Sequence, residues 1–380
     1  MTILHITGMY YPSKYGGVEK WLCSLVEEGM AHGHRTHIAY TQSIGDVGSY
    51  QERITASNGQ LIILEDANRI LAHCRDNAID VVHFHFDFPE PVRLYRELHR
   101  MGCMIFQHFH CECSYHVHRQ WQHHPVQFAR ITYHRAKIRL SSHYFTAFLG
   151  CSQAVTAQYQ KFYFLPKQKT RTLYLGIPRC PTSPKTVAPS AVPTIVCTAF
   201  HSPVKGVDVL LDALSILKKE KIPFRLMQIG GGSSELNGED TKELHDRCHQ
   251  SGLDDEVIWV GVTNHVDRYL CQADIYCQPS RTEALSLSII EAMQYSLPVV
   301  ASNVGGVSEL VSDGINGFLV APDSPRLLAQ KLRILLTDPE LRRSMGQRSS
   351  SLLEDLGFFQ DISAKQVMEI YQQIIHPTSL

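Results

Sequence analysis

The sequence predicts an α/β protein made of two doubly wound domains with mostly parallel sheets. Short apolar runs alternate with stretches of helical periodicity along most of the chain, as expected of repeated βαβ units. A length of 380 residues suits two domains. A proline-rich segment interrupts the alternation near the middle, and the same pattern restarts beyond it.

The apolar run Thr2–Thr7 reads as a strand buried on both faces. Val18–His32 has helical spacing, with Val18, Trp21, Leu22, Leu25, Val26 and Met30 on one side. Further strands are predicted at His37–Tyr40, Leu61–Leu64, Val81–Phe86, Met104–Gln107 and Phe148–Cys151, with helical stretches between several of them. Pro178–Pro193, PRCPTSPKTVAPSAVP, holds five prolines and reads as an extended linker. Strands then follow at Thr194–Thr198, Arg225–Ile229, Val257–Val260, Ile275–Gln278 and Pro298–Ser302. Helices are predicted at Val207–Lys219, Glu239–His249, Leu287–Tyr295, Pro325–Leu336 and Ser363–Ile375. The expected organisation is a first domain over residues 1–177, a linker over 178–193 and a second domain over 194–357. A C-terminal helix in 358–380 is expected to pack back on the first domain, and a cleft is expected between the domains.

With 44% hydrophobic and 19% charged residues, the composition excludes a disordered chain, a collagen-like repeat and a small disulfide scaffold. The formal net charge is −1, yet it is unevenly spread. Residues 113–207 hold 12 basic side chains and no acidic one, leaving −13 for the remainder. Such a segment is an electrostatic footprint for an anion: phosphate, nucleic acid or anionic lipid. Eleven cysteines scattered through a chain of this length form no disulfide framework and read as reduced thiols of a cytosolic protein. The opening MTILHITGMYYP lacks the basic and apolar regions of a signal peptide, and no apolar run is long enough to span a bilayer. The expected location is cytoplasmic, including a peripheral position at the inner face of the membrane.

Three segments carry chemistry. Gly16 and Gly17 precede the first helix, where glycines allow close backbone approach and a helix N-terminus offers N–H groups to an anion. The G-x-G-x-x-G dinucleotide fingerprint is absent. In PVKGVDVLLDAL, Lys205 and Gly206 stand just ahead of a helix, adding an ammonium to its N-terminal potential. In PSRTEALSLSIIEAMQYSLPVVASNVGGVSEL, Glu283 lies in a strand-to-helix loop and Glu291 lies two turns into the helix. The backbone around Ala284, Leu285, Ser286, Leu287 and Ser288 suits a diphosphate or sugar hydroxyls, and carboxylates suit vicinal hydroxyls.

Glu283 and Glu291 form an E-x7-E pattern. Together with Lys205–Gly206, IGGG at Ile229–Gly232, WVGVTNHVDRYLCQADIYCQPS from Trp259, GGVSELV, DGINGFLV and the N-terminal GGVEK, they make the chain resemble retaining glycosyltransferase family 4. The resemblance covers nearly the full length, most specifically residues 195–325 and more loosely residues 40–180, where acceptors usually bind. It implies the GT-B fold, two Rossmann-like domains facing an interdomain cleft, and a donor that is a nucleotide diphosphate sugar, UDP-linked by default. The sugar would be a hexose or N-acetylhexosamine, and the acceptor a hydroxyl of a glycan, glycolipid or small molecule. No cofactor or metal is implied.

Carried onto this sequence, the resemblance puts Gly16 and Gly17 near the donor phosphates, His108 near the reacting sugar and Lys205 on the diphosphate. It puts Glu283 on the sugar, Glu291 on the ribose hydroxyls and Val262 beside the nucleobase. The family's arginine five residues before the lysine is here Phe200, and a family glycine is here Ala284. Charge stabilisation then rests on Lys205, helix N-termini, His201 and Arg281. Alternative classes are a GT-B-shaped sugar-nucleotide epimerase and a non-catalytic sugar-nucleotide-binding protein.

Two segments fall outside these motifs. Gln107–Pro125 contains His108, His110, Cys111, Cys113, His116 and His118, but their spacing matches no established zinc pattern, so a polar acceptor loop is the preferred reading. Arg130–Leu140 carries Arg130, His134, Lys137 and Arg139 among apolar residues and is a candidate for peripheral contact with an anionic membrane. No nucleic-acid partner is expected.

Overall fold

The computed structural model describes residues 1–7, 17–41, 49–85, 91–112, 125–179, 192–231 and 239–375. The chain divides into two compact units, Met1–Pro178 with Phe358–Leu380, and Arg179–Gly357. The predicted linker lies mostly outside the described residues.

The first unit is a parallel sheet of β1 (Thr2–Thr7), β2 (Arg35–Tyr40), β3 (Gln60–Ile63), β4 (Val81–His85), β5 (Met104–Phe109), β6 (Ala147–Gly150) and β7 (Thr170–Thr172). Its strand order is β3-β2-β1-β4-β5-β6-β7, so the chain reverses its winding direction between β1 and β4. Ile3, Leu4, Ile6, Val82, Phe84, Ile105 and Phe106 are fully buried, because helices cover both faces of such a sheet. The helices are α1 (Gly17–Ala31), α2 (Ser49–Ala56), α3 (Ala67–Asp76), α4 (Val92–Arg100), α5 (Pro125–Ser141) and α6 (Gln153–Tyr163).

The second unit repeats the scheme with β8 (Thr194–Thr198), β9 (Arg225–Ile229), β10 (Val257–Gly261), β11 (Ile275–Gln278), β12 (Val299–Ser302) and β13 (Gly317–Val320). Their order is β10-β9-β8-β11-β12-β13, with the reversal between β8 and β11. Its helices are α7 (Val207–Lys219), α8 (Glu239–Gln250), the short α9 (Asp267–Leu270), α10 (Leu287–Gln294), α11 (Pro325–Thr337) and α12 (Pro339–Leu356). Gly357, at φ 66°, ends α12 at the boundary of the unit.

The last helix, α13 (Gln360–Ile375), belongs to the first unit and packs on α1. Trp21 of α1 donates through Nε1 to Ser363 Oγ at 2.9 Å, and Ser363 Oγ donates to the Tyr174 carbonyl at 2.6 Å. The backbones approach so closely at Gly176 that a Cβ there would lie 2.1 Å from the Phe359 carbonyl carbon.

Three elements carry no clear signal in the sequence. β7 is a polar, partly exposed edge strand, TRT. β13 is only four residues long, and α12 is too polar to show an apolar stripe. α12 is nevertheless well specified at its start, where Asp338 accepts from the Leu341 N–H and Pro339 occupies the first turn.

Candidate functional site

In a doubly wound sheet, the loops leaving the carboxyl ends of the two strands that flank the reversal diverge and leave room for a ligand. In the second unit these loops follow β8 and β11. After β8 the chain makes a short 3-10 turn over Pro203–Lys205 and enters α7 through Gly206, at φ 66°. A Cβ on Gly206 would stand 2.1 Å from the Pro279 carbonyl oxygen, so glycine alone lets the two loops touch. The Arg281 N–H donates to the Val204 carbonyl at 2.8 Å and fastens them together.

This contact brings Lys205 Nζ to 2.7 Å from Glu283 Oε1, joining residues 78 apart in sequence. Glu283 is 9% exposed, while the lysine is 29% exposed. The same Oε1 accepts from Ser280 Oγ at 2.8 Å and from Gln278 Nε2 at 3.0 Å. Gln278 is held in turn, since its Oε1 accepts from Tyr276 OH at 2.8 Å and from Ser288 Oγ at 3.2 Å. A buried carboxylate with three donors on one oxygen is a fixed anchor, and it aims the lysine rather than leaving it to wander.

Glu291, on the second turn of α10, is half-buried. Ser286 starts that helix without a side-chain cap, so its hydroxyl does not occupy the first-turn N–H groups. Leu285 and Ser286 are buried, whereas Ala284 and Leu287 are partly exposed. Val262 is 51% exposed and follows Gly261, whose carbonyl accepts from the Gly230 N–H at 2.9 Å. A Cβ on Gly231 would meet Val262 Cγ2 at 3.3 Å, so the ends of β9 and β10 form one surface there.

Two residues expected to supply extra positive charge do not carry it freely. Arg281 forms a bidentate pair with Asp208 at 2.9 and 2.7 Å, and its Nε donates to Asp323 at 2.7 Å. The hydrogen bond to Asp208 raises its pKa further, so the guanidinium is already neutralised by two carboxylates. His201 is buried, its backbone N–H donates to the Gly231 carbonyl at 3.0 Å, and its ring Nδ1 lies 2.9 Å from Thr241 Oγ1. Burial, then His245, lowers its pKa and favours the neutral ring. Phe200, in place of the family arginine, is 55% exposed.

In the first unit, Gly16 lies outside the described residues and Gly17 opens α1. His108, near the end of β5, is fully buried, which places it in a wall rather than on an open surface. On α5, Arg135 turns towards its own unit, donating to the Phe162 carbonyl at 2.8 Å and lying 4.7 Å from the Phe162 ring centre. Cys113, His116 and His118 are outside the described residues. Among those described, no helix is long and apolar enough to cross a membrane.

Residues 182–352 match the family model for glycosyl transferases group 1, and residues 15–179 match that for Glycosyltransferase Family 4. Together the two models account for most of the chain, which thus resembles glycosyltransferases in both of its units. An uncharacterized glycosyltransferase of Haemophilus influenzae is 34% identical over 165 residues, 43% of this chain and 45% of that protein. A D-inositol 3-phosphate glycosyltransferase of Jonesia denitrificans is 32% identical over 47% of this chain and 42% of its own. The matched stretches thus span a little under half of these two relatives. The O-antigen chain mannosyltransferase C of Escherichia coli is 21% identical over the full length of both chains.

Among solved structures, a glycosyltransferase from Rickettsia africae has a TM-score of 0.80 at 19% identity, covering 100% of this chain and 99% of its own. Anabaena HepE in complex with UDP has a TM-score of 0.76 at 17% identity, covering 98% and 100%. These neighbours share the GT-B fold, two parallel-sheet Rossmann-like domains.

Against the family pattern, the structure adds residues that sequence reasoning did not single out. Tyr276, Gln278 and Ser280 hold Glu283, and their alternation at the end of β11 and in the loop beyond was the available signal. In the first unit, His5, His83, His85, His108 and His110 form a buried layer at the carboxyl end of the sheet. Burial lowers His5 and His110 to about 3 and drives the other three well below the usual imidazole range. The signal was the period-two spacing of His83 with His85 and of His108 with His110, which puts each pair on one face of its strand.

Proposed function

We propose that the chain transfers a hexose or N-acetylhexosamine from a nucleoside diphosphate sugar, UDP-linked, to a hydroxyl acceptor with retention of anomeric configuration. The observation that carries this reading is the Lys205–Glu283 pair at the strand reversal of the second unit, within the segment matching the group 1 model. HepE, a neighbour in fold, is in complex with UDP, which supports a uridine donor.

In this reading the Lys205 ammonium faces the diphosphate oxygens, where negative charge grows as the bond from the anomeric carbon to the phosphate oxygen breaks. The aligned cation lowers that barrier because it needs no reorganisation at the moment of reaction. The acceptor oxygen forms its bond to the anomeric carbon on the face the phosphate leaves, and its proton passes to the departing phosphate oxygen. Glu283 holds Lys205 and accepts from sugar hydroxyls, while Glu291 accepts from the ribose hydroxyls. The uncapped start of α10 contributes N–H groups to the diphosphate.

A thermal-shift screen against UDP-, GDP-, ADP- and dTDP-sugars, followed by transfer assays on wild type and Glu283→Gln, tests the proposal. A selective stabilisation by one nucleotide sugar, with turnover lost in the variant, is the expected result. Equal turnover by wild type and variant would remove Glu283 from the reaction. The relatives named above are all described as transferases, so neither an epimerase nor a binding-only role is preferred.

A further inference from the structure

We propose that His85, His108 and His110 form a site in the first unit for one divalent transition-metal ion of the zinc class. Each offers one ring nitrogen, and the three nitrogens lie within 4.8 Å of one another in a buried setting. His85 Nδ1 and His110 Nε2 are already 2.9 Å apart. Nitrogens sharing a tetrahedral zinc at its usual bond length stand about 3.4 Å apart, so this pair needs only a small adjustment.

The strongest sign is His108. It is fully buried, and the one polar group of the backbone that acts on its ring is that of Leu173, outside ordinary hydrogen-bond geometry, so one nitrogen keeps a lone pair that no donor reaches. A buried imidazole normally finds a partner, because an unsatisfied nitrogen has lost its water for nothing. His5 and His110 each pair one ring nitrogen within the layer and His85 pairs both, whereas His108 pairs neither there. A metal ion accepts the lone pair that no donor reaches.

The surroundings fit a ligand shell. His85 Nε2 lies 3.0 Å from His5 Nδ1, so the nitrogen turned away from the ion is held by a neighbour. Beyond it, His83 Nδ1 is 2.5 Å from Tyr371 OH. Trp21 covers all three proposed ligands edge-on, its ring centre 5.9 Å from that of His85, 5.4 Å from His108 and 5.8 Å from His110. Its N–H is fixed on Ser363, so the indole is a rigid apolar cover. An all-imidazole set matches zinc, cobalt, nickel or copper rather than magnesium or calcium. The ligands come from β4 and from the end of β5, so no local spacing rule finds them. These ligands belong to the first unit and Lys205 and Glu283 to the second, and the proposal does not depend on the donor assignment.

The test uses the full untagged chain, stripped with a chelator and titrated with Co²⁺ and then Zn²⁺. The expected result is about one ion per chain, a visible cobalt spectrum of tetrahedral type that zinc displaces, and a higher thermal midpoint with zinc. His108→Leu should fold, since no hydrogen bond of ordinary geometry is lost, and should reduce metal affinity at least about tenfold, as should His85→Phe. His249→Ala, at an exposed histidine, should bind as wild type does. Failure of the wild-type chain to take up metal overturns the proposal. So does unchanged binding by folded His108→Leu, with folding checked by circular dichroism.

Discussion

Replacing Lys205 by Met keeps the length of the side chain and removes its charge. Glu283 then loses one of the three donors on Oε1 while retaining Ser280 and Gln278. Deleting one partner of a fully buried pair costs about 3–5 kcal/mol, and of an exposed pair about 0–1 kcal/mol. With the lysine 29% exposed and the carboxylate 9% exposed, solvent screening brings the expected loss of stability to about 1–2 kcal/mol. The effect on turnover is larger. Removing one preorganised group that stabilises developing charge lowers kcat by about 10²–10³-fold, or about 3–4 kcal/mol. Release of nucleoside diphosphate under saturating donor reads the rate, and a urea melt reads the stability. A variant that keeps kcat within about threefold of wild type refutes the role given to this lysine.

Three further outcomes follow from the same loops. Gly206→Ala meets both a positive φ and a carbonyl oxygen 2.1 Å away, so thermal melting should report a loss of about 2 kcal/mol or more. Gln278→Leu removes a donor from Glu283 and an acceptor from the Tyr276 and Ser288 hydroxyls, and should lower kcat more than it raises KM. Arg281→Gln should destabilise by about 1–2 kcal/mol at pH 7, after allowing for partial exposure, and leave donor affinity within about threefold. Burial alone would raise the Asp208 pKa, but the hydrogen bond and charge of Arg281 outweigh it and lower it below 3.8 in the folded protein. Stability from this pair is therefore full above about pH 4 and fades as pH falls further. The gap between wild type and Arg281→Gln should narrow in acid, and a constant gap from pH 7 to pH 3 would contradict the assignment.

Much of the architecture was legible because a parallel sheet covered on both faces demands short, continuous apolar runs. Thr2–Thr7, Thr194–Thr198 and Ile275–Gln278 coincide with observed strands, and Val207–Lys219 coincides with an observed helix. β7 escaped because an exposed edge needs no apolar residues, and α12 because its polar surface hides its period. Lys205 and Glu283 could each be placed in a strand-to-helix loop, but their approach to 2.7 Å depends on β8 lying beside β11. Arg281 looked free because Asp208 and Asp323 reach it from other parts of the chain. The histidine layer was hidden for a similar reason. Its members are spread over residues 5 to 110, and only pairing of β1 with β4 and of β4 with β5 brings them together.

The most direct test of the central claim is to incubate the full chain with a nucleoside diphosphate sugar and a hydroxyl acceptor and follow the anomeric proton of the transferred sugar by NMR. The account predicts a glycoside with the same anomeric configuration as the donor, formed by wild type and reduced about 10²-fold or more in Lys205→Met. A product of inverted configuration, or transfer unaffected by that substitution, would contradict it.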